Sequence, residues 1–113
     1  MSQGDQQSRT PRYPFAAPAE VIPEDSGAPF AVNVKELGLS GCYLETPAPF
    51  SSNTRVLLKI FGSGSYFEAS ATVTHVDPGL GMGLAFRDVK PHFFGILQKW
   101  VLKAMRENLK TEK

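Results

Sequence analysis

The sequence predicts a mainly β domain, a small barrel or sandwich followed by one C-terminal α-helix. Three observations carry that reading. From Phe15 to Phe86, short apolar runs are broken by turn residues at spacings of about ten residues. After Asp88 the apolar spacing changes from a period of two to a helical one. A chain of 113 residues, 42% hydrophobic and 20% charged, has the composition of an ordinary globular protein and room for one core.

Residues 1–8 contain no large apolar side chain except Met1 and are expected to be disordered, leaving 9–113 as a single domain. The first strand runs from Phe15 to Ile22 and is closed by PEDSG. The second, Phe30 to Leu37, sets Phe30, Val32 and Val34 against Ala31, Asn33 and Lys35 at period two. A third, short strand covers Cys42 to Glu45 and ends in the proline-bearing TPAPFSSN. Arg55 to Phe61 is the fourth, followed by the turn sequence GSGS. The fifth, Tyr66 to His75, places Phe67, Ala69, Ala71 and Val73 on one face. Asp77-Pro78-Gly79 is a tight turn into the last strand, Leu80 to Phe86. Gly79, Gly81 and Gly83 alternate there, leaving one face without side chains so that a neighbouring element can come close. Closing six strands into a barrel over about 13–87 would also remove exposed sheet edges.

Phe93, Phe94, Ile96, Leu97, Trp100, Val101, Ala104, Met105 and Leu109 recur at helical spacing, with Lys99, Lys103, Arg106 and Lys110 between them. Pro91 suits only a first helical turn, so the helix is expected over about 90–109. Gly95 inside it points to close packing. Two roles for this helix are open. It covers an open end of the barrel, or part of its apolar face around Phe93, Trp100 and Met105 makes a homodimer or partner contact.

Twelve basic and eleven acidic residues give a net charge of +1, which does not mark DNA, RNA or a membrane as a partner. The lone Cys42 excludes an internal disulfide and a cysteine-rich zinc site, and His75 and His92 are the only histidines. No apolar run approaches the roughly 20 residues of a membrane span. The N-terminus has no signal-peptide pattern, so a cytoplasmic location is expected. Catalysis finds no foothold: Ser40 and Cys42 lie near no sequence-local histidine, the carboxylates are scattered, and GSGS lacks the phosphate-binding lysine pattern. The chain is expected not to be an enzyme and to need no cofactor or metal.

What remains is an ordered constellation. Arg9 and Arg12 precede the first strand. Glu36-Leu37-Gly38-Leu39-Ser40-Gly41 is a polar loop leading into Cys42-Tyr43-Leu44. Gly81-Met82-Gly83-Leu84-Ala85-Phe86 closes the sheet before the amphipathic helix. This order, over about residues 8–103, resembles the PilZ domain, the bacterial receptor module for cyclic di-GMP. The resemblance implies a six-stranded antiparallel β-barrel with a C-terminal helix. It also implies an Arg-x-x-x-Arg segment and an Asp/Asn-x-Ser-x-x-Gly motif that together grip the nucleotide. Aligning Gly41 with the final glycine puts Gly38 at the serine and Glu36 at the acidic position; using Ser40 as the motif serine would put Tyr43 where the glycine belongs. Arg12 takes the second arginine, Ser8 falls at the first, and Arg9 is displaced by one. A guanidinium is a planar donor fork matching a phosphate, or O6 and N7 of guanine. The resemblance thus implies a ligand site of Arg9, Arg12, Glu36, Gly38 and Gly41, and an effector protein that answers to the ligand-bound surface. The other reading the sequence leaves open is a protein-interaction module that does not bind the nucleotide.

Overall fold

The computed structural model describes residues 10–62 and 64–111. Ser8 and Arg9, and the expected disordered segment 1–8, lie outside the described residues. The described chain forms six strands and one helix. The strands are β1 (Arg12–Pro23), β2 (Phe30–Gly38), β3 (Gly41–Glu45), β4 (Arg55–Phe61), β5 (Tyr66–Asp77) and β6 (Gly81–Asp88), followed by α1 (Pro91–Thr111). All neighbouring strands are antiparallel, and the sheet closes in the order β1-β2-β3-β6-β5-β4. The fold is therefore the six-stranded antiparallel barrel with a C-terminal helix that the resemblance implied.

Alternation builds the barrel wall. Val32 and Val34 of β2, Val56, Leu58 and Ile60 of β4, and Phe67, Ala69, Ala71 and Val73 of β5 are all buried. Leu37, Leu44, Met82 and Leu84 complete the interior. Phe30 departs from the expected pattern. It is 47% exposed, at the mouth opposite the helix, with its ring edge-on to Phe50 at 5.2 Å. The Phe50 N–H points at Met82 Sδ, 3.4 Å away, which fastens the β3–β4 connection over that mouth.

β1 begins at Arg12, three residues earlier than expected, because its first half pairs with the end of β2 (Arg12 opposite Gly38, Tyr13 opposite Leu37). Only Ala19–Pro23 also pair with β4. Where β4 stops, α1 takes over and packs on β1 and β5. Leu97 is fully buried, Val101 and Ala104 nearly so, and Trp100 stacks on Phe15 with ring centroids 5.6 Å apart. Phe93 and Trp100 also approach Phe67 at 6.3 and 6.5 Å. The helix is therefore the barrel's plug, and two of the three residues singled out for a partner contact, Phe93 and Trp100, spend their rings inside that joint. The fit needs Gly62: a Cβ there would stand 2.5 Å from the Trp100 ring.

Pro91 occupies the first helical position, where its missing N–H costs nothing. Two glycine expectations are corrected. Gly79 is not in a strand but in the Asp77–Leu80 turn, with φ +75°. Gly95 does not mark close packing, since a Cβ there would meet nothing within 4 Å.

Gly95→Ala is accordingly expected to stabilise the domain by about 0.5–1 kcal/mol, while Leu97→Ala at the centre of the plug costs about 2–5 kcal/mol. Urea unfolding midpoints of the two variants check both signs.

Candidate functional site

On the outer wall of β2, β3, β6 and β5 the structure opens a trough of about 740 Å³. Its floor is made by missing side chains. Arg12, leaving β1 opposite Gly38, runs across β2 and β3, and its Nη2 donates to the Leu84 carbonyl oxygen of β6 at 3.2 Å. A Cβ on Gly41 would collide with that carbonyl and stand 2.7 Å from Arg12 Nη2. A Cβ on Gly38 would collide with the Pro11 carbonyl and lie 3.1 Å from Arg12 Cγ. Gly83 lies next along the path, its virtual Cβ 3.6 Å from Arg12 Nη1. The guanidinium makes no ion pair among the described residues. With five N–H donors and one protein hydrogen bond, it has most of its capacity left for a ligand.

Two bulges turn polar side chains into the trough. Between Val34 and Glu36 the β2–β3 register shifts, so Lys35 and Glu36 both leave the core while Leu37 returns to it. Between Val73 and His75 the β5–β6 register shifts, and Thr74 and His75 both face outward. Glu36, Tyr43, Gly83 and His75 then stand in one cross-strand row, each paired with the next. Thr10 and Ser40 close the end nearest the β2–β3 turn with a hydrogen bond between their hydroxyls.

Tyr43 lies flat over Gly81, where a Cβ would be 2.7 Å from the phenol oxygen. Its hydroxyl donates to Asp77 Oδ2 at 2.6 Å, and His75 Nε2 is 2.9 Å from Asp77 Oδ1. The bond from Tyr43 and the neighbouring imidazole hold the Asp77 carboxyl below its ordinary range, against a smaller opposing effect of desolvation. The same bond, followed by desolvation and the charges of Asp77, Glu45 and Glu36, pushes the Tyr43 phenol up to about 12. Cys42, on the inner side of this wall, is fully buried, and burial pushes its thiol up to about 12. It is a packing group, not a nucleophile.

Of the residues expected to bind a ligand, the structure brings together Arg12, Glu36, Gly38 and Gly41; Arg9 lies outside the described residues. Ser40, set aside as a motif position, nonetheless lines the trough. Thr10, Tyr43, Thr74, His75 and Gly83 were not anticipated. Simple alternation puts His75 on the inner face with Val73, and no residue type in that stretch announces the bulge that reverses it. Met105 lies apart from the trough, in an apolar groove between the start of β1 and α1. The large apolar residues that α1 leaves exposed are Phe94, Leu102 and Leu109. Among the described residues no helix is long and apolar enough to cross a membrane.

The family model for the PilZ domain matches residues 6–103. The chain is similar to the PilZ domain of CeSA from a cellulose-synthesizing bacterium, at 20% identity and TM-score 0.64, covering 83% of this chain and 97% of that one. It is similar to the PilZ domain of YcgR from Escherichia coli with c-di-GMP, at 17% identity and TM-score 0.71, covering 95% and 98%. It is similar to PlzA from Borreliella burgdorferi in complex with c-di-GMP, at 13% identity and TM-score 0.66, covering 87% of this chain and 42% of PlzA. At these identities the structural likeness is one of fold. No curated protein matches the sequence.

The two kinds of floor glycine are expected to separate on substitution. Gly41→Ala forces backbone apart and costs about 1–3 kcal/mol. Gly83→Ala meets only His75 Cβ at 3.5 Å and the movable Arg12, and leaves the unfolding midpoint nearly unchanged. The Tyr43–Asp77 bond gives opposite pH signs. Asp77, depressed from its ordinary 3.8, adds stability above that value that is lost as pH falls through its folded pKa. Tyr43, raised from 10.0, adds stability below that value that is lost as pH rises through about 12. Both groups are exposed, so the effects on stability are small. The clearer readout is absorbance at alkaline pH, where Tyr43→Phe removes the latest-titrating phenol.

Proposed function

The chain belongs to the PilZ domain family, and on that premise we propose that it is a receptor for cyclic di-GMP that uses the trough on β2, β3, β6 and β5. The observation that carries this reading is the placement of Arg12. A guanidinium with unused donors lies over a glycine floor, inside a concavity whose walls offer the Glu36 carboxylate, the Thr10, Ser40 and Thr74 hydroxyls, and the His75 imidazole. A cyclic dinucleotide needs both kinds of group. Its phosphodiesters and the O6/N7 edge of guanine accept from a guanidinium fork, and the guanine N–H edge donates to a carboxylate.

Glu36 supplies that carboxylate on a side chain one methylene longer than aspartate. Gly38 has no hydroxyl to offer, and Ser40 and Thr74 stand within the same trough. In this reading Arg12 is the principal contact and Arg9 an auxiliary one. The nucleotide orders the start of β1 over the trough, and the altered surface regulates an effector protein. A cytoplasmic location and a non-enzymatic, adaptor role are part of the proposal. The two relatives whose structures contain c-di-GMP support the ligand's identity by likeness of fold.

Isothermal titration of the full chain with cyclic di-GMP is expected to give saturable heat. Arg12→Ala is expected to weaken binding at least about tenfold, the loss of a charged hydrogen-bond partner. Arg9→Ala and His75→Ala are expected to weaken it less, and Gly83→Ala to weaken it by filling the floor. Absence of both heat and a thermal shift at high micromolar nucleotide would overturn the reading.

A further inference from the structure

The first residues of β1 have two faces, and only one belongs to the trough. Thr10 and Arg12 line the trough; Pro11 and Tyr13, alternating with them, line a second concavity of about 390 Å³ on the other side. Its remaining walls are Leu39, from the β2–β3 turn, and Val101, Leu102 and Met105 of α1. Leu39 and Leu102 are 42% and 43% exposed, so this groove presents apolar surface that the fold itself leaves uncovered. Leu39 is held between Gly38, which underlies Arg12, and Ser40, which bonds Thr10. Every barrel-side wall of the groove is thus the back of a trough residue or its immediate chain neighbour.

The rim of the groove is basic. Lys99 and Arg106 stand three residues before and four after Leu102, which puts them on the same flank of α1. Both are exposed, and neither has an ion pair among the described residues. Glu107, the acidic residue of α1, lines the concavity on the opposite flank together with Lys103. We propose that this groove docks an amphipathic segment of a partner protein, with apolar side chains entering it and carboxylates meeting Lys99 and Arg106, and that occupancy of the trough changes the fit.

Charge and shape select that occupant. A second copy packed symmetrically through the same face would set Lys99 and Arg106 against their own like charges. A lipid surface takes up convex apolar projections, whereas a groove bounded by Leu39 and Leu102 receives side-chain anchors. The docking itself does not depend on the nature of the trough ligand; the coupling rests on the cyclic di-GMP reading, through the shared segment Thr10–Tyr13.

The test uses the full chain and a labelled, helix-forming 18-residue peptide with leucines at i, i+3, i+4 and i+7 spacing and glutamates elsewhere. A companion peptide carries lysine in place of each glutamate. Fluorescence anisotropy is expected to show saturable binding of the glutamate peptide. Affinity should fall at least tenfold for Leu102→Glu and for the double change Lys99→Glu with Arg106→Glu, with methyl shifts centred on Leu39, Leu102 and Met105. Leu39→Ser, at a second exposed position, guards against a folding artefact at Leu102. Equal binding of both peptides, indifference to these substitutions, concentration-dependent dimerisation that Leu102→Glu abolishes, or preference for anionic vesicles over the peptide would each overturn the docking. Cyclic di-GMP is expected to change peptide affinity at least threefold. Nucleotide binding without any such change overturns the coupling alone, and peptide binding without nucleotide binding overturns the coupling and the ligand reading while the docking stands.

Discussion

Arg12 reaches the Leu84 carbonyl only by crossing two strands at backbone height, and any Cβ along the way would lift or deflect it. Gly38, Gly41 and Gly83 keep that lane clear, and Gly81 does the same for Tyr43. The outer wall of the barrel is shaped by this one steric requirement. It lets two long side chains lie along the sheet instead of standing up from it, which turns a convex barrel surface into a trough. The arrangement asks much of β3 and β6, whose glycines contribute nothing to cross-strand side-chain pairing. The inward-facing Cys42, Leu44, Met82 and Leu84, all fully buried, supply the packing that holds those two strands in place.

A second consequence concerns β1. Its later half is bonded on both sides, by β2 and β4, and belongs to the closed barrel. Its first half is bonded to β2 alone, with a register shift between Pro14 and Ala17, and is covered by α1. That half carries Arg12 on one face and Pro11 and Tyr13 on the other. A strand held by one ladder and one helix opens more readily than one held by two ladders. The part of the fold that touches both concavities is therefore also the part with the least backbone support.

Much of the architecture was legible because it rests on periodicity. The runs around Val32, Val56 and Phe67 alternate cleanly, and the spacing of Phe93, Leu97, Trp100 and Ala104 leaves no choice but a helix with one buried face. The site was legible in part, where glycine spacing and a lone arginine carry the signal: Arg12, Glu36, Gly38 and Gly41 converge. His75 and Thr74 were hidden, because a one-residue bulge inverts the facing of everything beyond it, and the sequence Val73-Thr74-His75-Val76 contains no glycine or proline to mark one. Tyr43 was quoted only as part of a strand; its role depends on Asp77, thirty-four positions later, which no local pattern connects to it. Gly95 misled for the opposite reason. A glycine within a helix usually has a neighbour that requires it, and here open space surrounds it.

The joint between α1 and the barrel carries a property of a different kind. The chain has a single tryptophan, Trp100, seated on the ring of Phe15 and against Gly62. Phe15 follows Arg12 by three positions in the singly bonded half of β1. Indole emission is sensitive to the polarity and packing around the ring, so this unlabelled protein contains its own optical gauge at the hinge between strand and plug. Any event that shifts the start of β1 registers there as light, with no other indole to dilute the signal.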